Sequence, residues 1–264
     1  MTTTPAQSTT PHLPRGVPPA PRARGPWRWI ARGTPGKWSF WRYNWIIHRL
    51  VLAAVKRARP YAHGTLLDVG CGSMRARRWF EGWITRYIGI DLDTSQYLEG
   101  GRLDAYARGE ELPFKDGSID SVLGLSVLTY APEPQRMIDE AYRVLSPGGT
   151  LIMEFTQMVP VHNEPHDYFR FTRYGAEWML KRAGFEVVEA TAVGGLMTRV
   201  ALSAIAGLNR INRGPTRVLT ELPVRALYVV IQLVFAGLDW ILFDPREVVG
   251  HVVVARKASR ATTT

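Results

Sequence analysis

The chain of 264 residues contains a single cysteine, Cys71. One cysteine excludes an internal disulfide framework and any metal site built from several cysteines. The N-terminal sequence also lacks the continuous apolar stretch of a secretory signal, because residues 1–26 are mostly Thr, Pro, Ala and Arg. We therefore expect a chain that is not exported and works in the reducing cytoplasm.

Acidic residues are absent before Asp68, whereas the same stretch holds eleven lysines or arginines. The formal net charge of the whole chain is +10. Residues 68–195 carry thirteen basic and nineteen acidic side chains, whereas residues 196–264 carry nine basic and four acidic side chains. The basic character therefore belongs to the two flanks, and the centre is mildly acidic. The arginine-rich flank has no recognisable base-reading module, so we do not expect nucleic acid as the partner.

The N-terminal flank has two parts. Residues 1–26 contain seven prolines and no acids, which predicts a disordered tail. Residues 27–59 hold five of the nine tryptophans among basic side chains, and the part after Ser39 predicts a helix that ends at Pro60. This helix either packs on the domain or contacts an anionic surface, because tryptophan favours the membrane interface and arginine favours phosphate.

Short apolar runs alternate with helical patterns after residue 60, which predicts a mostly parallel sheet covered on both faces. The candidate strands are Thr65 to Val69, Tyr87 to Ile90, Ser121 to Leu125, Thr150 to Phe155, Phe185 to Ala190 and His251 to Ala255. The candidate helices include Glu133 to Leu145 and Tyr174 to Ala183. The predicted division is a core at 60–194, an apolar helical insertion at 195–249, a last strand at 250–258 and a tail at 259–264.

The insertion contains ALYVVIQLVFAGLDWILF at 226–243, an apolar run interrupted by Gln232 and Asp239. A membrane-spanning helix needs about twenty predominantly apolar residues, and an aspartate near its middle is costly. The sequence therefore favours a helical hairpin over a span. The hairpin either covers the core or makes peripheral contact with the inner face of a membrane, through residues 222–243 together with 27–59.

The most specific local pattern is LLDVGCG at 66–72, a strand that runs into a glycine turn. Glycines let the backbone approach a ligand closely, and we expect a helix after them whose N-terminus faces an anion. Asp91, in YIGIDLD, ends the next predicted strand and is suited to the two hydroxyls of a ribose. Together these features predict an adenosine ligand, either a nicotinamide dinucleotide or another adenosine compound.

Two further segments follow in order, LPFKDGSIDSVLGLSVL at 112–128 and YRVLSPGGTLIMEF at 142–155. With the glycine turn and the Asp91 motif, they resemble the class I S-adenosylmethionine-dependent methyltransferases from about Thr65 to Ala192. The resemblance implies an α/β fold with a Rossmann-like, seven-stranded, mostly parallel sheet whose last strand is antiparallel and lies between its neighbours. It also implies S-adenosylmethionine as the cofactor.

The resemblance places cofactor contacts at the carboxyl ends of the strands. Asp91 would accept the ribose hydroxyls, and Leu92 would lie against the adenine unless it is ordinary core. We expect Arg75 to hold the cofactor carboxylate beside the helix N-terminus, with Arg77 and Arg78 on a solvated helix face. The other implied contacts are Asp68, Gly70 and Gly72 under the methionine and ribose, Glu110 near the adenine, and Leu125 and Ser126 at the methionine end.

The chain departs from the family pattern at several positions. Arg108 stands where an acid often meets the adenine amino group, which leaves Glu110 as its nearest substitute. Thr129 and Tyr130 replace a Glu-His pair that many relatives have after the fourth strand, and Met74 replaces the third glycine of the turn.

An acceptor site is predicted in PVHNEPHDYFRFTRYG at 160–175, because this segment follows the fifth strand and loops at strand ends form the ligand crevice. A similar segment occurs in one bacterial branch of these methyltransferases. We predict His166 as the general base, oriented by Asp167 or Glu164, with Tyr168 and Arg170 completing the catalytic group. A purely structural loop held by His166 and Arg170 stays open. We predict no metal, although His162, Glu164 and His166 resemble a ligand set.

The favoured function is methyl transfer to oxygen on a small-molecule or lipid-linked acceptor near a membrane, such as an envelope glycan intermediate. Such an acceptor would account for the basic flanks, the tryptophans and the apolar insertion together. One alternative is a non-catalytic membrane or polyanion-binding adaptor on the same fold. A lesser alternative is an NAD-dependent oxidoreductase, which does not account for the LSPGG turn.

Overall fold

The computed structural model describes residues 42–95, 97–98, 103–212 and 217–259. The predicted tail at 1–26, the tryptophan-rich segment up to residue 41 and the end of the chain from residue 260 lie outside the described residues. The expectations for those segments therefore stay predictions.

Seven strands form one sheet in the order β3-β2-β1-β4-β5-β7-β6. They are β1 Thr65–Val69, β2 Arg86–Asp91, β3 Ala105–Tyr106, β4 Ile119–Gly124, β5 Leu145–Thr156, β6 Phe185–Val193 and β7 Gly250–Lys257. Strand β7 pairs antiparallel with β5 and with β6, whereas the other pairs are parallel. The predicted sheet is confirmed, including its antiparallel last strand. Strand β3 was not predicted because two residues are too short to show a periodicity.

Five α-helices accompany the sheet in the described part of the chain. They are α1 Trp45–Ala58, α2 Pro134–Val144, α3 Arg173–Arg182, α4 Leu196–Ile211 and α5 Arg217–Ile241. Helix α2 buries Met137, Ile138, Ala141 and Val144, the spacing of one helix face, and begins with a proline at a position where no N–H partner is needed. In α3, Thr172 caps the start by accepting from the Gly175 N–H.

The strands are buried on both sides because successive side chains alternate between two apolar clusters. In β1, Leu67 belongs to the cluster that α2 and α3 cover, whereas Leu66 belongs to the cluster that α1 covers. Val55 of α1 and Ile138 of α2 are both fully buried at these contacts. The sheet is therefore a rigid support for the loops at its edges.

The predicted α-helix after β1 is wrong, as residues 70–85 contain one three-residue 3-10 helix, Arg77–Trp79, and turns. Met74 lies at φ 53°, in the left-handed region, where a right-handed helix cannot continue. Its N–H donates to the Cys71 carbonyl at 2.9 Å, closing a tight turn instead. Arg77 and Arg78 are exposed on this 3-10 turn and not on a helix face.

The two polar residues that interrupt the apolar run, Gln232 and Asp239, are buried against the protein, with 0% and 8% of their surface exposed. The Gln232 side chain accepts from the Ile46 N–H at 2.9 Å and donates to the Arg42 carbonyl at 2.9 Å. Gln232 therefore supplies a hydrogen-bond acceptor to the start of α1, where backbone N–H groups have no partner within the helix. The predicted helical insertion is present as α4 and α5, which are joined by the hydrogen bond from Tyr228 to Asn209 at 2.6 Å.

Replacing Asp239 by alanine should destabilise the fold by about 3 kcal/mol, because removing a buried charged acceptor leaves its donors unpaired. Its carboxylate accepts from the N–H groups of Gly195 and Met197 and from the Thr198 hydroxyl, at the start of α4. Urea denaturation measures the loss. Asp93→Ala is the control at an exposed acid and should barely move the midpoint. Equal effects of the two substitutions would contradict this role.

Candidate functional site

The candidate site lies at the edge of the sheet where β1, β2, β4 and β5 end, because parallel strands bring their carboxyl ends together. Asp68 and Asp91, near the ends of β1 and β2, are buried, with 2% and 8% of their surface exposed. The glycine turn follows β1, and Gly70 and Gly72 lie at φ 73° and 52°. A side chain on Gly70 would lie 2.5 Å from Val127, so this turn requires glycine.

The turn closes directly against Asp91. The Gly72 N–H donates to one carboxylate oxygen and the Leu92 N–H to the other, each at 2.7 Å. Because a carboxylate oxygen can accept two hydrogen bonds, both oxygens keep an acceptor position for ribose hydroxyls. Leu92 is 41% exposed beside them, an apolar surface suited to a base. These residues fit the adenosine part of the expected cofactor.

Burial raises the pKa of Asp68 from 3.8 to about 7, an effect that the Tyr87 hydrogen bond opposes and the charge of Asp91 increases. Tyr87, on β2, donates its hydroxyl proton to the Asp68 carboxylate. The carboxyl group is therefore close to half-protonated at neutral pH in the cofactor-free protein.

Replacing Asp68 by asparagine should flatten the pH dependence of stability. The folded pKa of about 7 lies above the unfolded value of 3.8, so the folded state binds more protons between them. The contribution of Asp68 to the free energy of unfolding is fully present below pH 4. It falls by up to about 4 kcal/mol as the pH rises through 7. Urea midpoints of cofactor-free protein between pH 5 and pH 8 measure the slope. Asp93→Asn, at an exposed acid, should keep the wild-type slope, and an unchanged slope in Asp68→Asn would contradict the raised pKa.

Glu110 is buried, with 7% of its surface exposed, and Arg108 lies 3.5 Å from its carboxylate. Arg108 also pairs through its backbone with Glu111. The acid and the arginine thus form one contact, and the role of Glu110 as the acid near the adenine stays a prediction. Arg75 is half-buried in the turn after β1, but the helix N-terminus expected beside it is not there.

Ser126 and Glu154 form a contact that the sequence analysis missed. Ser126, just after β4, lies at φ 53° and donates its hydroxyl to Glu154 at 2.6 Å. Burial within β5 raises the pKa of Glu154. Strained backbone conformations of this kind gather at functional sites. The signal was a lone acid inside the apolar strand LIMEF.

The acceptor loop is fixed by Arg170. Its guanidinium donates to both oxygens of Asp167 and to the Val159 carbonyl at 3.0 Å. The Asp167 side chain is 1% exposed, and the hydrogen bond from Arg170 lowers its pKa. The contacts of Asp167 thus go to Arg170 and to the His162 N–H, and the orientation of His166 by Asp167 or Glu164 stays a prediction. His166 is exposed, and its Nδ1 lies 3.0 Å from the Tyr168 hydroxyl.

A second histidine of the loop, His162, contacts Tyr130 in the segment after β4. The Tyr130 hydroxyl lies 2.7 Å from His162 Nε2, and His162 Nδ1 lies 2.9 Å from the Pro160 carbonyl. A carbonyl only accepts, so Nδ1 carries the proton and Nε2 accepts from Tyr130. The Asp167 carboxylate lies 3.6 Å from Nδ1 and accepts from the His162 N–H. Burial raises the pKa of Tyr130, which keeps the phenol neutral.

Tyr97 lies against the glycine turn and within electrostatic range of Tyr130. Tyr130 interacts electrostatically with Tyr97 and Glu154, and a side chain on Gly72 would lie 3.2 Å from Tyr97. The loop is also attached to the segment after β4, because the N–H groups of residues 168 and 169 donate to the carbonyl of residue 129. The Tyr130–His162 pair was missed because its members are 32 residues apart. The only sequence signal for the pair was Tyr130, which stands after β4 where many relatives have a histidine.

The structure places no group of three or more His, Cys, Asp or Glu side chains for a metal ion within the ranges it describes. The alternative of a metal on His162, Glu164 and His166 therefore has no support from the geometry.

Comparisons with known proteins show which family and fold the chain shares. Residues 67–153 match the model of a methyltransferase domain family. An uncharacterized protein of Methanocaldococcus jannaschii is 30% identical over 164 residues, which are 56% of this chain and 76% of that protein. An uncharacterized methyltransferase of Mycobacterium sp. (strain JLS) is 35% identical over 102 residues, 35% of this chain and 38% of that protein. The match thus spans well under half of the mycobacterial relative.

Solved structures share the fold. A Haemonchus contortus phosphoethanolamine N-methyltransferase 2, in complex with phosphomonomethylethanolamine and S-adenosylhomocysteine, has a TM-score of 0.52 at 18% identity, covering 88% of this chain and 60% of that one. A putative methyltransferase of Haloferax volcanii, in complex with the Trm112 activator, has a TM-score of 0.51 at 21% identity, covering 90% and 100%.

The strand order and the glycine turn beside Asp91 define a class I methyltransferase fold, whereas a dinucleotide-binding sheet of six parallel strands lacks the antiparallel β7. Together with the family match, they establish that the chain belongs to the class I S-adenosylmethionine-dependent methyltransferases. Its cofactor is S-adenosylmethionine. The NAD-dependent alternative is set aside.

Proposed function

We propose that the protein transfers the methyl group of S-adenosylmethionine to a hydroxyl of an acceptor at a membrane, such as a lipid-linked or envelope glycan intermediate. The observation that carries the choice of oxygen is the Tyr130–His162 pair, because a hydroxyl must lose its proton during transfer and this pair can take it.

When bound, S-adenosylmethionine supplies a methyl carbon that its sulfonium group activates; the methyl group passes to the acceptor oxygen, and the sulfur compound is released as a neutral thioether. In this proposal Asp91 holds the ribose, Leu92 covers the adenine and Arg75 meets the carboxylate. The remaining cofactor contacts are Asp68, Gly70, Gly72, Glu110, Leu125 and Ser126. The protein's other tasks are to align the acceptor and to remove its proton.

The proton route uses the geometry of the pair. The acceptor hydroxyl gives its proton to the Tyr130 oxygen while the Tyr130 proton moves to His162 Nε2, so that His162 becomes a cation. The buried carboxylate of Asp167, 3.6 Å from Nδ1, stabilises that cation. His162 has 45% of its side chain exposed and can then release the proton to solvent.

The residues first chosen from the sequence take other roles in this proposal. Asp167 and Arg170 are positioning residues, because they fix the loop and the His162 ring. His166 and Tyr168 are exposed, and in this proposal they contact the acceptor. The proposed base is His162 in place of His166.

The test is to incubate the protein with tritium-labelled S-adenosylmethionine and a cell-envelope extract, and then to separate lipid, water-soluble glycan and protein. We expect label in the organic-extractable lipid fraction, in a linkage that survives mild base, as an ether does and an ester does not. Heat-denatured protein is the control. Label confined to protein, or released by mild base, would overturn the proposal.

A further inference from the structure

Helix α5 turns its apolar side away from the protein. At 100° per residue, its exposed positions fill an arc of roughly 160° that carries no charged side chain. The same surface continues past the helix end. Its large exposed members are Leu222, Leu227, Val230, Leu233, Val234, Leu238, Trp240, Ile241, Leu242 and Phe243. We call this set the outer α5 surface.

The polar side chains of α5 face inward instead. Gln232, Asp239 and Tyr228 are buried and bind the neighbouring helices, and Glu221 and Arg225 form an ion pair of 2.8 Å at the half-buried flank. A helix packed on a water-soluble core has the opposite arrangement, with its apolar side inward. Large contiguous apolar surfaces of this kind mark contact with a protein or a membrane.

The outer α5 surface extends to the edge of the sheet that carries the candidate site. Strand β6 runs parallel to β5, because both pair antiparallel with β7, so β6 ends at that edge and β7 begins there. Asp239 binds the start of α4 directly after β6. The N–H groups of Gln157 and Met158, which lead into the acceptor loop, donate to the Val249 carbonyl at 2.8 and 2.9 Å.

Basic sequence precedes α1, whose start contacts the inner side of α5. Residues 1–41 hold six lysines or arginines, four tryptophans and no acid. They join the described chain at Arg42, whose carbonyl accepts from Gln232 of α5. Basic side chains near an apolar surface favour anionic lipid, at about 1 kcal/mol for each charge near the membrane. This charge favours a lipid surface over a second copy of the chain, which would bring the same positive charge.

We infer that the outer α5 surface docks flat on a bilayer of anionic lipid and holds the acceptor edge against it. By length and composition the helix could cross a membrane, since an 18-residue window within Thr220–Ile241 has a mean hydropathy of 1.6. A spanning α5 would lose the hydrogen bonds of Gln232 and Asp239 to α1 and α4, so the helix lies in the plane of the interface. The inference deepens the proposed function, because it names the surface where the acceptor is met.

The experiment is sedimentation of the full chain with vesicles of phosphatidylcholine, with and without phosphatidylglycerol. We expect binding to the anionic vesicles that weakens as salt rises, and a loss of about tenfold or more in Val230→Glu with Leu233→Glu, whose side chains are 56% and 55% exposed. The matched control is Val188→Glu, at a 42% exposed valine on β6, which should bind like the wild type.

Three results would overturn the inference. They are absence of binding by the wild type, equal binding by the double variant, and resistance of the bound protein to alkaline carbonate, which marks a spanning helix. A wild-type dimer that the double variant abolishes, without vesicle binding, would assign the surface to a second copy instead. Methyl transfer to an acceptor in detergent is measured separately, so a failure here is distinguishable from a failure of the proposed function.

Discussion

Replacing His162 by alanine should lower the rate of methyl transfer by about 10²- to 10⁴-fold, the usual contribution of a general base. The substitution removes the ring that accepts from Tyr130 at 2.7 Å, so the acceptor proton has no onward route. The affinity for S-adenosylmethionine should stay the same, since His162 lies on the acceptor loop. The measurement is kcat with the labelled acceptor fraction, together with cofactor binding by equilibrium dialysis.

Two companions separate proton transfer from loop structure. His166→Ala removes another histidine of the same loop and should cost far less in kcat, and Tyr130→Phe should resemble His162→Ala. Added imidazole should partly restore His162→Ala, because a small base can occupy the space that the ring left. A larger loss in His166→Ala, or no effect of His162→Ala, would return the role of base to His166.

Replacing Asp91 by alanine should weaken S-adenosylmethionine binding about 100-fold or more. In the proposed site the carboxylate accepts the ribose hydroxyls, and it also accepts from the Gly72 and Leu92 N–H groups, so its loss removes ligand contacts and loosens the turn. Hydrogen bonds to a charged group contribute about 1.5–3 kcal/mol each, and two of them correspond to this factor. Equilibrium dialysis with labelled cofactor measures the change.

Asp93→Ala is the matched control, because Asp93 is an exposed acid two residues further along the chain. It should bind the cofactor like the wild type. Asp91→Asn keeps one hydrogen-bond acceptor for the turn, and its affinity for the cofactor should lie between those of Asp91→Ala and Asp93→Ala. Equal affinities for Asp91→Ala and Asp93→Ala would remove Asp91 from the site.

The sheet was predictable from the sequence because its signals are local. Each apolar run lies between turn residues, and buried strands such as β1 need apolar side chains on both faces. The motif order then implied the position of β7, which periodicity alone cannot supply. Asp91 follows the same logic, since a polar residue directly after a buried strand must lie at the sheet edge.

The acceptor side was less predictable because its contacts join distant parts of the chain. Sequence spacing does not decide whether Asp167 pairs with Arg170 or with His166, because both residues lie within three positions of it. Met74 adopts a left-handed conformation that its residue type disfavours, so the missing helix after β1 could not be foreseen. Gln232 and Asp239 likewise point inward because they bind α1 and α4. These helices lie outside the apolar run at 226–243, so the run alone does not predict this direction.

The measurement that tests the central claim most directly is calorimetric titration of the wild-type protein with S-adenosylmethionine, S-adenosylhomocysteine and NADH. The account predicts micromolar binding of the first two and none of NADH, since Met74 replaces the third glycine of the turn and no α-helix directly follows it within residues 70–85 to receive a pyrophosphate. Absence of binding by both sulfur ligands would contradict it and would favour a non-catalytic adaptor on a methyltransferase fold.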